Sequence, residues 1–174
     1  GLQDDLTLYR FRAPSGSELL MYKEPYWYNS GVTPDCGTGI FGLSKRCVEI
    51  ARAYAAERHG FGVRLAERES VQLMLGKLAM NIEIGRLLVM KAAWELDRGG
   101  FARKEVSMAK VQVANVLHEA ADVAIQINGA RGYSKDEPVE WIYRYARQAR
   151  LVDGASEVHR MVLANFLRRQ GKDF

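Results

Sequence analysis

Between residues 71 and 127 the chain is written in alternating steps of four and three. Val71, Leu75, Leu78, Ile82, Gly85, Val89, Ala92 and Leu96 follow this spacing, and Val106, Ala109, Val113, Val116, Ala120, Val123 and Ile127 repeat it. Such spacing keeps a single apolar stripe along one face of an α-helix, so each segment is predicted as a long helix that must bury its stripe against a partner. Between them, DRGGF (97–101) supplies glycine where the chain must reverse. Gly85 sits inside the first stripe and costs about 1 kcal/mol of helix propensity, which points to a close helix–helix crossing.

The same logic extends outward. Ile40, Leu43, Cys47, Ile50 and Tyr54 predict an earlier helix ending near His59-Gly60. Another is expected after Pro138, a good first-turn residue, through WIYRYARQAR, and a last one from just after Asp153 to Arg169. Five helices joined by short turns make an all-α, up-and-down helical bundle over residues 39–174. Residues 1–38 differ: LTLYRF, ELLMYK and PYWYN are short, aromatic-rich and alternating, and read as an N-terminal arm, irregular or in short strands.

Composition narrows the function classes. The 174 residues suit one domain, and 48% hydrophobic with 26% charged residues is ordinary for a soluble protein. The net charge of +4 is carried by basic residues interleaved with acids, without the arginine-rich stripe of a nucleic-acid binder. Two cysteines do not make a disulfide framework, which favours a reducing compartment. No apolar run approaches the roughly 20 residues of a membrane span, and no signal peptide is evident. A cytoplasmic location is expected, or the mitochondrial matrix in a eukaryote. His59, His118 and His159 lack metal-ligand spacing, so no metal site is expected. Met74, Met80, Met90 and Met108 read as core fillers.

Three breaks in the helical pattern could carry chemistry: ERHGFG (57–62), QINGARGY (126–133) and LVDGASEVHR (151–160). Taken alone, each has a plain structural role. Arg58 is a helix-end arginine, Gln126-x-x-Gly129 a helix C-cap, and Asp153 an N-cap for the last helix.

Together, and in this order, the segments resemble the C-terminal helical domain of the acyl-CoA dehydrogenases. The R-x-x-F-G turn is Arg58 to Gly62. The A-x-x-x-D-x-G exit is Ala93 to Gly99, and the S-x-A-K start is Ser107 to Lys110. The Q-x-x-G-G-x-G-Y turn is Gln126 to Tyr133, followed by P-x-E-x-x-Y-R-x-A-R from Pro138 to Arg147. The E-G-T-x-E-I segment is Asp153 to Val158. The resemblance covers about residues 38–172. The D-G-x-x-E-V-H ending is most similar to the long-chain-type branch, in which aspartate replaces the usual glutamate base.

The resemblance implies FAD as cofactor and an acyl-CoA as substrate. It also implies a homo-oligomer in which FAD is shared across a subunit interface. Arg58 would pair with a phosphate, Phe61 would pack near the adenosine, and Gln126, Gly129 and Ala130 would contact the pyrophosphate. Ala155 and Glu157 belong to the cofactor contacts of the last turn. Guanidinium geometry suits phosphate, and glycines let backbone N–H groups approach it. Asp153 would remove the α-proton of an acyl thioester while hydride leaves the β-carbon. A carboxylate does this only where water is stripped from it, and a helix N-terminus works against that by favouring the anion.

The sequence departs from the family pattern at four places. Thr33 stands where an arginine contacts CoA, Glu69 replaces a glutamine, Ala130 the second glycine of its turn, and Ala155 a threonine. Intact members also hold the flavin ring and thioester with an N-terminal helical domain and a middle β-domain, for which 38 residues are too few. The expected chain is therefore a truncated or partial FAD-dependent acyl-CoA dehydrogenase. The alternatives are a non-catalytic helical oligomerisation or partner-binding module, and a related flavin oxidase of the nitroalkane-oxidising kind.

Overall fold

The computed structural model describes residues 10–12, 18–20 and 34–170. Two short strands, β1 (Arg10–Arg12) and β2 (Glu18–Leu20), pair antiparallel with Phe11 opposite Leu19. The rest of the arm, PYWYN included, lies outside the described residues up to Pro34. The bundle follows as α1 (Pro34–Glu57), α2 (Glu69–Asp97), α3 (Arg103–Asn128), the single turn α4 (Ala130–Tyr133), α5 (Val139–Ala149) and α6 (Ser156–Gln170). A two-residue hairpin, β3 (His59–Gly60) and β4 (Val63–Arg64), joins α1 to a 3-10 turn at Leu65–Glu67.

The two heptad segments are α2 and α3. α2 ends as DRGGF requires: Gly99 takes φ 77°, and the amides of Gly99 and Gly100 bond back to Leu96 and Glu95 at 2.9 Å each. These bonds satisfy carbonyls the helix leaves open. A side chain at Gly100 would come within 2.8 Å of the Glu95 carbonyl oxygen, so the reversal needs both glycines. α5 starts as Pro138 implies, with its carbonyl accepting the first helical bond from Ile142 at 3.1 Å.

α3 is the central element and packs on every other helix of the bundle. Its buried face is rich in alanine: Ala114, Ala120, Ala121 and Ala124 meet Ala51 and Ala55 of α1, with Ala146 and Ala149 of α5 in the same cluster. Small side chains let the backbones approach, and a few large ones (Leu78, Leu117, Ile142) fill what remains. Cys47 lies in this core, where burial pushes its thiol up to about 12 and keeps it neutral and unreactive.

Side-chain pairs give the helix directions. Lys77 and Asn81 both reach Glu119, while Gly85 faces Val113, so α2 runs antiparallel to α3. The return leg is not one helix. His118 meets Tyr143 (ring centroids 5.4 Å), His159 meets Ser107, and Phe166 lies with Phe101–Glu105. α5 and α6 therefore run in succession toward the N-terminus of α3, broken by the turn around Asp153.

Two expectations are corrected. Gly85 is buried against α3, but a Cβ there would stand 3.5 Å from Val113 Cγ2, an ordinary contact. Its backbone φ is not in the left-handed range. Gly85→Ala is thus expected to stabilise the fold by about 0.5–1 kcal/mol in chemical denaturation, through helix propensity. A loss of stability would restore the close-crossing reading. The methionines are the second correction: Met74, Met80 and Met90 are exposed, and only Met108 of the four is half-buried.

α2 in fact carries a second stripe. Leu73, Met80, Ile84, Leu87 and Trp94 are exposed, and Lys77 and Lys91 complete the same four–three spacing opposite the buried face. Beside it Arg86 Nε donates to Glu83 Oε2 at 2.9 Å, and this hydrogen bond holds the Glu83 carboxyl below the usual carboxylate range.

Candidate functional site

The residues singled out from the sequence fall into two groups. The first sits where α1 ends and α3 ends. α2 is antiparallel to α3, so its start, and the hairpin before it, lie at the C-terminal end of α3; Val71 and Ile127 share one core cluster.

Arg58 is exposed one residue past α1, its carbonyl accepting from the Leu65 amide at 2.9 Å. Phe61 and Gly62 form the hairpin loop with φ of 53° and 84°, the two positive values that a tight two-residue turn demands. Glycine accepts this readily; a phenylalanine there is rare. The Phe61 ring is fully exposed. Arg68 braces the strained turn: Nη2 donates to the Gly60 carbonyl at 2.8 Å and to the Phe61 carbonyl at 3.2 Å. Its guanidinium also lies 5.8 Å from the Phe61 ring centroid.

Gln126 is exposed in the last turn of α3. Gly129 ends the helix at φ 61° with its amide on the Ile125 carbonyl at 2.8 Å, and its own carbonyl receives the amides of Gly132 and Tyr133. The plain C-cap role of this turn is therefore real. Ala130 is exposed as the first residue of α4, and among the described residues no side chain or neighbouring backbone would crowd a Cβ placed at Gly129. The neighbouring Arg131 is already engaged, 2.6 Å from Glu137.

The second group is the turn between α5 and α6. Asp153 is half-buried and takes φ 54°, followed by Gly154 at 86°. The N-cap expectation fails here. An N-cap residue has extended backbone directly before the helix, whereas Asp153 is left-handed and α6 starts at Ser156. Ala155 is the residue before the helix, and its carbonyl accepts from Val158 and His159. Glu157 is exposed in the first turn and pairs with Arg160 at 3.3 Å.

Sequence reasoning missed the residues that hold these turns. His159 is buried in the inward stripe of α6, with Nδ1 3.1 Å from Ser107 Oγ and Nε2 3.1 Å from the Asp153 carbonyl oxygen. The available signal was its position: Ser156, His159, Leu163 and Phe166 repeat steps of three and four, so His159 belongs to the buried face. Arg68 had no comparable signal. At about 1.5 Å per residue, Ser107 and Gln126 are roughly 28 Å apart along α3, which separates the two groups within one chain.

The chain matches the family model described as "Acyl-CoA dehydrogenase, C-terminal domain" over residues 35–167. It is 35% identical over 129 residues to the caffeyl-CoA reductase–Etf complex subunit CarC of Acetobacterium woodii, covering 74% of this chain and 34% of that protein. It is 40% identical over 125 residues to acyl-CoA dehydrogenase family member 11 of Rattus norvegicus, covering 71% and 16%. The fold superposes on butyryl-CoA dehydrogenase from Megasphaera elsdenii with a TM-score of 0.75 at 29% identity, over 78% of this chain and 36% of that one. The chain thus spans about a third of the length of CarC, and less of the rat protein. It belongs to the acyl-CoA dehydrogenase family, and residues 35–167 are that family's C-terminal helical domain.

Proposed function

We propose that this chain is the helical part of an FAD-dependent acyl-CoA dehydrogenase of the aspartate-base kind. In this reading one bundle end contacts the cofactor and Asp153 serves as the base. The observation that carries the reading is the exposed pairing, at one end of the bundle, of the Phe61 hairpin with the Gly129 turn. The residues there fit the group. Arg58 offers an unburied guanidinium for a phosphate, Phe61 a free aromatic face for adenine, and Gln126, Gly129 and Ala130 an uncrowded backbone.

Asp153, Ala155 and Glu157 lie along α3 from that end, which supports a cofactor shared between two copies. One copy would supply the hairpin and the Gly129 turn, and another the Asp153 turn. The outward stripe of α2 supports such pairing, since an apolar face of this length left in water favours association. When bound, FAD supplies the two-electron acceptor for the β-hydride. Asp153 takes the α-proton onto its carboxylate, and Leu151 and Val158, exposed on either side of it in sequence, give apolar surface that would exclude water from a docked thioester.

Titration of FAD into the full chain, followed by flavin absorbance and fluorescence after dialysis, tests this reading. Retained flavin is expected, with Phe61→Ala weakening it about tenfold or more, because stacking a base on an aromatic ring contributes roughly 1–3 kcal/mol. No retained flavin would remove the cofactor assignment and leave the second reading, a non-catalytic module that associates through α2. The exposed α2 stripe serves that alternative equally, because association through it needs no cofactor.

A further inference from the structure

The Asp153 turn is held by one side chain that the chemistry above does not use. His159 is 8% exposed, in the first turns of α6, and its ring joins two elements. Nε2 is 3.1 Å from the Asp153 carbonyl oxygen, and Nδ1 is 3.1 Å from the hydroxyl of Ser107, itself 2% exposed on α3. A carbonyl oxygen can only accept, so Nε2 must carry the proton, and in the neutral ring Nδ1 then accepts from the Ser107 hydroxyl. Both ring nitrogens are thereby used, and the tautomer is set by its partners.

The turn is shaped around this ring. Asp153 and Gly154 both have positive φ, a region open to glycine and, among the other residues, chiefly to asparagine and aspartate. A Cβ on Gly154 would stand 3.0 Å from His159 Nε2 and crowd the ring, and the backbone angle of 86° favours glycine there as well. The carbonyl that His159 grips belongs to the same residue as the carboxylate. Shifting the carbonyl therefore turns the Asp153 side chain with it.

We propose that His159 is the positioning residue for Asp153, tying the carboxylate-bearing turn to α3 through Ser107 so that the side chain keeps one direction. This rests on the reading of Asp153 as the base. Three variants in the flavin-loaded protein separate positioning from bulk packing. His159→Gln keeps an N–H donor at about the reach of Nε2, His159→Asn is too short to meet the carbonyl, and His159→Leu fills the space with no donor. Misplacement of a reacting group by about 1 Å costs on the order of 10²-fold. The Asn and Leu variants are thus expected to lose about that much kcat with KM for acyl-CoA held, and the Gln variant to recover most of it. Equal kcat in all three, or losses that follow thermal midpoint, overturns the proposal.

A second measurement does not depend on turnover. Nitrogen–proton correlation of the imidazole is expected to show the Nε2–H tautomer, and His159→Asn to speed hydrogen exchange at the Gly154 amide. If the wild-type protein, about a third of its relatives' length, turns over no acyl-CoA, the kinetic comparison carries no weight for or against Asp153. His159 is then judged by these two signals alone, and an Nδ1–H tautomer or unchanged exchange overturns its hold on the turn.

Discussion

Asp153→Asn is expected to leave FAD bound and to slow acyl-CoA-driven flavin bleaching by roughly 10²–10⁴-fold, the span of general-base contributions. The choice of asparagine matters because of the backbone. Asp153 sits at φ 54°, and asparagine is among the few residues that adopt this left-handed region without large strain. The turn, its carbonyl bond to His159 and the Gly154 geometry should all survive. What is lost is a carboxylate able to accept the α-proton. Thermal unfolding of the variant should therefore match the parent while bleaching collapses. Alanine would confound the two effects, since a Cβ-only side chain is strained at this φ. Bleaching at the parental rate in the asparagine variant would take Asp153 out of the mechanism.

How much of this was legible in the sequence depends on the range of each interaction. The stripes beginning at Val71 and Val106 delimited α2 and α3 to within a few residues, because helix periodicity is local and repeated many times. The hairpin and the Gly129 turn were legible as breaks, since glycine interrupts the apolar periodicity at each, and Gly62 and Gly129 do take positive φ. The second stripe of α2, from Leu73 to Trp94, has the same period as the first, so spacing alone does not say which of the two faces meets the core. The His159–Ser107 bond spans 52 residues in sequence. No local pattern encodes it, so a buried latch passed for an isolated histidine. The N-cap reading of Asp153 failed for a related reason. Asp-Gly before a helical run suits both a cap and a left-handed turn, and the choice is made by what the turn packs on.

Leu117→Ala is expected to cost about 2–5 kcal/mol of unfolding free energy, toward the upper end of that range. The residue is fully buried at the middle of α3, in a cluster rich in alanine (Ala114, Ala120, Ala121 and Ala124 of its own helix, Ala51, Ala55 and Ala146 of its neighbours) that holds few large side chains, among them Leu78 and Ile142. Cavity cost depends on how far the surroundings can collapse, and alanines have no rotamers with which to fill a gap. The helices themselves would have to move, and α3 is fixed by contact with α1, α2, α5 and α6 at once. At roughly 2–4 °C per kcal/mol for a chain of this size, the midpoint should fall by about 10 °C. Leu117→Met isolates the cause. It nearly conserves volume and should cost less than about 1.5 kcal/mol, because the flexible thioether can follow the same space. A loss below about 1 kcal/mol for the alanine variant would mean that the bundle closes over the gap. In that case, the rigidity that holds Ser107, and through it the Asp153 turn, could not come from the alanine-lined core.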